Sequence, residues 1–484
     1  MYLGLDLGTS GVKALLIDGD QRVVASATAP LTVERPHPGW SEQDPESWLA
    51  ATDSAMERLR RDHAAAVAAI RGIGLSGQMH GATLLDAAGK ALRPCMLWND
   101  TRSATEAAAL DADPRFRAIT GNIVFPGFTA PKLAWVRDNE PDIFRRVAKV
   151  LLPKDYLRYR LTGTFFSDMS DASGTSWLDT ANRRWSPDLL AATGLGEEHM
   201  PALVEGTAPT APLRSEVADR WGIDGTPVLA GGAGDNAASA CGVGAVRAGS
   251  AFVSLGTSGV LFAANDSYRP NAASAVHTFC HALPATWHQM GVILSATDSL
   301  NWLAGITGQD AGALAAALGE TPAGPGKVAF LPYLSGERTP HNDAAIRGAF
   351  AGLDHASGRE ALTQAVLEGV AFALRDNLEA LRAAGTTPSR VTAVGGGARS
   401  RYWLATIANV LGIAVDVPAD GDFGAAFGAA RLGLIAAEGA DPRTVCTPPA
   451  TAETIEPDAA LVPTYRGAWE SWRALYPAVR NATV

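Results

Sequence analysis

The string LGTSGV occurs twice, at 7–12 and again at 255–260, about half the chain length apart. Each copy follows a short apolar run (Tyr2-Leu3-Gly4-Leu5, then Ala251-Phe252-Val253) and precedes another (Ala14-Leu15-Leu16-Ile17, then Leu261-Phe262-Ala263-Ala264). An apolar run, a Gly-bounded polar turn and a second apolar run make the pattern of a β-hairpin. Solenoid units recur every ~20–50 residues, so a repeat at this spacing reads instead as two related domains, each opening with a hairpin. The expected division is 1–246 and 247–484, with Arg247-Ala248-Gly249-Ser250 as the crossing point. A chain of 484 residues is long enough to bury two cores without disulfide staples.

The rest of the pattern alternates strands and helices in both halves, which implies an α/β architecture. Periodicity predicts helices over 45–61, 104–109 and 360–384, the last stopped by Gly385. Short buried strands are expected at Val150-Leu151-Leu152, Val228-Leu229-Ala230 and 391–394. Residues 442–463, rich in Pro and Thr, read as surface chain, and 465–476 as a closing helix.

Charge and cysteine usage exclude several classes. The net charge of −10 and an isoelectric point of about 5.4 argue against nucleic acid or an anionic membrane as partner. No uninterrupted apolar run approaches the ~18 residues of a membrane helix, and the N-terminus lacks a secretion pattern. Cys95, Cys241, Cys280 and Cys446 are far apart with no CxxC pair, which fits a reducing cytoplasm.

The two turns also carry the chemistry. Gly-Thr-Ser-Gly can adopt positive φ at both ends and gather N–H groups and hydroxyls around one anion, as phosphate requires. A plain hairpin turn is the competing reading of a single copy. Two copies, one per domain, favour a nucleotide held between the halves. A Walker loop is absent, because neither Lys90 nor Lys327, the lysines that follow glycine, precedes Ser or Thr. The GxGxxG string at 72–77 leads into Gln78-Met79-His80-Gly81, which does not open a helix, so a nicotinamide oxidoreductase has weak support.

Asp6 directly precedes the first turn, where it could hold Mg²⁺ or cap its own turn. Asp235 follows Gly231-Gly232-Ala233-Gly234 at the end of a buried strand, placed either as a general base or as a helix N-cap. His80 is equally open to a structural or a binding role. The cluster Trp98-Asn99-Asp100-Thr101-Arg102 has the mixture that binds a polyol, against the alternative of a solvated turn.

With these residues the chain resembles the FGGY family of carbohydrate kinases over essentially its whole length. The resemblance is carried by DLGTSGVK at 6–13, GQMHGATLLD at 77–86, LWNDTR at 97–102, GFTAPKLAW at 127–135 and LLPKDYLRYRLTG at 151–163. It continues through SDMSDASGT at 167–175, GGAGDNAASACGVG at 231–244 and FLPYLSGERTPH at 330–341. The resemblance implies two actin-like ATPase (ribonuclease H-like) domains with ATP and sugar in the cleft between them. It implies Asp235 as catalytic base, with Met79, His80 and Asn236 beside the sugar. Gly256 and Thr257 would meet nucleotide phosphates, Gly396 and Gly397 the adenosine portion, and Asp6 would assist Mg²⁺. D-xylulose is the expected acceptor, with ribulose, gluconate, fuculose or glycerol as alternatives within the same fold. A non-catalytic sugar sensor or chaperone-like ATPase would not need an acid at Asp235. Ala361 and Asn409 depart from the usual pattern, and both departures bear on nucleotide contacts. The oligomeric state stays open, a homodimer being one reading.

Overall fold

The computed structural model describes residues 1–419 and 423–482. Both copies of the repeat are antiparallel hairpins: β1 (Tyr2–Leu7) pairs with β2 (Gly11–Ile17), and Leu5 lies opposite Ala14. Further along the N-terminal sheet come β3 (Val23–Pro30), β4 (Gly72–Gly77), β5 (Pro209–Pro212) and β6 (Val228–Ala230), in the spatial order β5-β6-β4-β1-β2-β3. The second copy supplies β7 (Ala251–Leu255) and β8 (Gly259–Asn265). Its sheet is completed by β9 (His277–Cys280), β10 (Trp287–Ile293), β11 (Arg390–Val394), β12 (Ala414–Pro418) and β13 (Thr451–Ile455), in the order β9-β10-β8-β7-β11-β12-β13. In each sheet the hairpin strand that leads into the turn runs parallel to a later strand, β4 in one and β11 in the other. Both turns therefore sit at the carboxyl ends of parallel strands, where α/β sheets place their ligands.

The helices form where apolar spacing and caps direct. α1 (Pro45–Ala68) starts on the Asp44 side chain, which accepts from Glu46 N–H, with Pro45 at its first position. It buries Trp48, Ala55, Met56 and Leu59. α2 (Pro153–Thr162) ends on left-handed Gly163. α3 (Asp235–Val243) follows the glycine loop, and α4 (Thr297–Thr307) follows β10. α5 (Arg359–Ala383) is buried along most of its length, packing against β10 and α6 (Arg401–Leu411).

α7 (Ala425–Glu438) lies in the C-terminal stretch of the sequence yet is seated on β1 and β4 of the N-terminal sheet. Glycine makes that seat. A Cβ on Gly4, Gly72 or Gly74 would run into the backbone carbonyls of Ala426, Gly433 and Ala429 respectively. The GxGxxG string is thus a strand whose bare face admits a helix backbone, and it opens no dinucleotide loop. α7 also crosses α3, where a Cβ on Gly428 would meet the Ala238 carbonyl. α7 thereby ties the C-terminal stretch of the chain to the N-terminal sheet.

The C-terminal region departs from the surface chain expected over 442–463, because residues 451–455 pair with β12 as the edge strand β13. The expected closing helix is two helices, α8 (Val462–Arg473) and α9 (Leu475–Ala482), with Trp469 and Trp472 of α8 buried against the core. Asn409 accepts from Asp458 N–H at 2.7 Å, so it ties this segment down and does not line the nucleotide-sized cavity described below. Ala361 packs at the edge of the C-terminal core. Among the described residues, no helix is long and apolar enough to cross a membrane.

Candidate active site

Both turns open onto one cavity of about 300 Å³. Gly8 and Thr9 line it from the first turn and Ser258 from the second, together with Asp6, Met79, His80, Asp235 and Asn236. The turns do this without the positive φ expected of them: none of Gly8, Gly11, Gly256 and Gly259 has it. Their glycines supply room instead. A Cβ on Gly11 would lie 2.8 Å from the Ala29 carbonyl, and one on Gly259 would lie 2.7 Å from Ile293 Cγ1.

The first turn is held by side chains. Trp98 Nε1–H donates to Thr9 Oγ1 at 3.0 Å, Thr9 Oγ1–H donates to Gln78 Oε1 at 3.1 Å, and Gln43 Nε2–H donates to the Thr9 carbonyl at 2.8 Å. The second turn is held by the start of α4. Thr297 N–H and Oγ1–H both donate to the Gly256 carbonyl, at 2.9 and 2.8 Å, and Ala296 N–H donates to the Thr257 carbonyl at 2.8 Å.

Asp235 occupies the first helical position of α3. Gly234 is the N-cap residue, and the Asp235 carboxylate accepts from Asn236 N–H (2.7 Å) and Nδ2–H (3.0 Å). It is therefore not the N-cap that the alternative reading allowed. Burial, and then the negative charge of Asp6, push its pKa up to about 6, against the pull of the Asn236 hydrogen bonds. The loop before it is pinned from below: Arg158 Nη1–H donates to the Ala230 carbonyl at 2.8 Å and Nη2–H to that of Gly231, while Gly234 N–H donates to Ser170 Oγ at 3.1 Å.

His80 has φ of +70°, and its carbonyl accepts from Lys132 Nζ (3.0 Å) and Thr129 Oγ1 (3.1 Å). Its Nδ1 lies 2.7 Å from the Gly174 carbonyl, which can only accept, so Nδ1 carries the proton and Nε2 is left as an acceptor. Burial lowers its pKa to about 3, which keeps the ring neutral. The ring stacks on Phe128 at 4.4 Å between centroids.

The Trp98–Arg102 cluster divides between two places. Trp98 lines the cavity, whereas Arg102 turns inward to pair with Asp100 (2.6 Å) and Glu42 (2.8 Å) under the Trp40 ring. None of the site residues expected from the sequence lies on the wall supplied by the C-terminal stretch, His277, Phe279, Met290, Val292 and Arg338, although Arg338 lies in the string at 330–341. These come from β9, β10 and a loop, and only the pairing of those elements brings them to the cleft. The one cluster of three carboxylates among the described residues, Asp155, Asp168 and Asp171, is filled by the Lys154 ammonium at 2.5, 2.7 and 3.0 Å, so a cation of the protein's own already sits there.

A second cavity, of about 620 Å³, lies beyond the second turn. Gly396, Gly397, Thr297, Asn301, Ala315 and Ser400 are among the residues lining it. Gly396 projects into open space, while a Cβ on Gly397 would meet Leu255 and the Trp403 ring. Thr297 joins the two sites, since it lines this cavity and also holds the Gly256 carbonyl.

Two family models cover this architecture. The N-terminal domain of the FGGY family of carbohydrate kinases matches residues 1–242, and its C-terminal domain matches 251–437. The chain belongs to the FGGY family of carbohydrate kinases. Its two-domain α/β fold is the actin-like ATPase fold of that family. The chain is 52% identical to a xylulose kinase of Escherichia coli (strain K12) over 98% of both chains. It is similar to the crystal structure of a xyloylose kinase from Brucella ovis, at 66% identity with a TM-score of 0.98 and 99% of each chain covered. It also resembles the crystal structure of xylulose kinase from Rhodospirillum rubrum, at 31% identity with a TM-score of 0.92, covering 100% of this chain and 99% of the other.

Proposed function

We propose that this FGGY kinase transfers the γ-phosphoryl group of ATP to the 5-hydroxyl of D-xylulose, giving D-xylulose 5-phosphate and ADP. The observation that carries this reading is the convergence of both glycine turns and Asp235 on a single cavity. The names of its relatives, at up to full coverage, supply the acceptor. Residues 1–246 are the proposed sugar side and 247–484 the proposed nucleotide side.

Asp235 accepts the proton of the attacking hydroxyl as the new O–P bond forms and the bond to the ADP oxygen breaks. Asn236 orients that carboxylate through its two hydrogen bonds. His80 Nε2 accepts from a sugar hydroxyl, and Met79, whose sulfur would lie 2.8 Å from a Cβ on Gly234, packs between the sugar and the glycine loop. Gly256 and Thr257 face the phosphates with backbone N–H groups, and the Gly396–Gly397 cavity takes the adenosine. Mg²⁺ suits Asp6, because two carboxylates crowded in one cavity, with the phosphates of the nucleotide, offer the hard oxygen donors it prefers. When bound there it would neutralise phosphate charge. The proposed location is the cytoplasm, consistent with ATP as donor and with four unpaired, buried cysteines.

Asp235→Asn tests the base. It keeps the hydrogen-bonding outline and removes the proton acceptor, so kcat falls at least about 10³-fold while the sugar Kd stays within about threefold. Near-normal turnover would remove Asp235 from the role. A phosphorus NMR assay across D-xylulose, D-ribulose, gluconate, fuculose and glycerol tests the acceptor, with D-xylulose expected to show the highest kcat/KM.

A further inference from the structure

We infer that Arg338 binds the carbonyl end of a 2-ketose, and that it is the residue by which this site prefers a ketose to the matching polyol. Arg338 lines the cavity from the C-terminal wall. Its guanidinium lies 4.7 Å over the Phe125 ring, with Nη1 3.1 Å from His277 Nε2. Phe125 packs on Phe128 at 5.4 Å between centroids, and Phe128 stacks on His80. Arg338 therefore stands at the aromatic, His80 end of the cavity, whereas Asp235 stands beside Asp6 and the first turn. The electrostatics agree: Asp6 acts on Asp235, and Arg338 acts on His80 and His277.

This cation is kept available for a ligand. Among the described residues, no carboxylate forms an ion pair with its guanidinium. Its neighbour Glu337 turns toward backbone, where Oε1 accepts from Leu294 N–H (3.1 Å) and Arg338 N–H (2.6 Å), and burial pushes the Glu337 carboxyl up to about 8. The backbone of Arg338 is fixed through Thr339, whose N–H donates to the Val292 carbonyl (3.1 Å) and whose Oγ1 accepts from Val292 N–H (3.1 Å).

A guanidinium only donates and a carbonyl oxygen only accepts, so the two match without either having to turn a hydroxyl proton aside. A pentulose whose 5-hydroxyl faces Asp235 extends its C2 carbonyl and 1-hydroxyl toward the opposite end. The inference rests on that orientation, and so on the reading of Asp235 as the phosphoryl-transfer end.

The test is calorimetric titration of D-xylulose, xylitol and D-arabinitol, the last two being its products of reduction at C2, into wild type, Arg338→Met and Arg338→Lys. Wild type is expected to bind the ketose at least about tenfold more tightly than either polyol. In Arg338→Met the ketose loses about tenfold or more and the polyols less than about threefold, so the preference disappears; Arg338→Lys falls between. An undiminished preference in both variants, or equal losses for ketose and polyols, would overturn the inference. So would a fall in kcat at unchanged ketose Kd, which would move Arg338 to the phosphoryl end. If Arg338→Met fails to melt cooperatively, Arg338→Lys decides alone, and a wild-type preference in it would overturn the inference. A turnover assay beside the same titrations in Asp235→Asn separates the two readings: retained turnover removes the base, while the titrations read the ketose preference independently.

Discussion

Asp235 shows how surroundings bear on the base role proposed for a residue. A base must be unprotonated to accept a proton, and burial beside Asp6 makes ionisation harder. The acid limb of kcat/KM, which reports the free enzyme, is therefore expected to fall with decreasing pH from an apparent pKa clearly above the ordinary carboxylate value near 3.8. A limb at or below that value in a pH–rate profile would show that burial is relieved in the working enzyme. Of the residues that line the cavity, those from the N-terminal stretch were the most legible in the sequence. Asp6, Met79, His80, Asp235 and Asn236 all lie in or beside short glycine-bounded strings, where a side chain is presented by a turn and little else determines its neighbours. His277 carried no such signal, because it looks ordinary in its own stretch; Arg338 stood inside the string at 330–341, but only what folds against it brings it to this cavity.

At the level of elements, glycine does two different jobs that sequence alone renders alike. In the turns it lets the chain pass close to a neighbouring strand, Gly11 beside the Ala29 carbonyl and Gly259 beside Ile293; in β4 it lets α7 lie directly on the strand backbone. Gly74→Ala is expected to destabilise the protein by about 3 kcal/mol, because the new methyl meets the Ala429 carbonyl and neither backbone can yield cheaply. Urea denaturation of the variant measures this, and a change within about 0.5 kcal/mol would mean that the helix moves freely on the sheet. Gly396 faces open space in the larger cavity, so Gly396→Val should leave stability alone while raising the KM for ATP about tenfold or more, with sugar Kd unchanged. Equal ATP KM in the variant and wild type would place the nucleotide elsewhere. The hairpins, α1, α5 and the strands around them were readable from period and punctuation. The edge strand β13 was not, since its polar, Thr-rich sequence becomes a strand only by pairing with β12.

Across the whole molecule, one hydrogen-bonded seam fastens the N-terminal stretch to the C-terminal sheet. Asn122 pairs with both backbone groups of Thr278, donating to its carbonyl at 2.9 Å and accepting from its N–H at 2.8 Å. Ser173 Oγ accepts from Cys280 N–H at 3.0 Å, and Trp287 Nε1–H donates to the Thr180 carbonyl at 2.8 Å. This seam joins Asn122, Ser173 and Thr180 to β9 and β10, so rotation about it would bring the two turns together and expel water from the proposed phosphoryl path. Small-angle scattering is expected to show a smaller radius of gyration with D-xylulose and a non-hydrolysable ATP analogue than with either alone; an unchanged radius would mean the cleft is already closed. The sequence by itself determined that there are two related hairpin-led units and which acid follows the glycine loop, because turn geometry and local apolar runs are short-range properties. Only the tertiary structure decided that α7 crosses back to the first sheet and that Arg338 and His80 line the same end of one cavity, because those contacts join segments hundreds of residues apart through packing that no local pattern encodes.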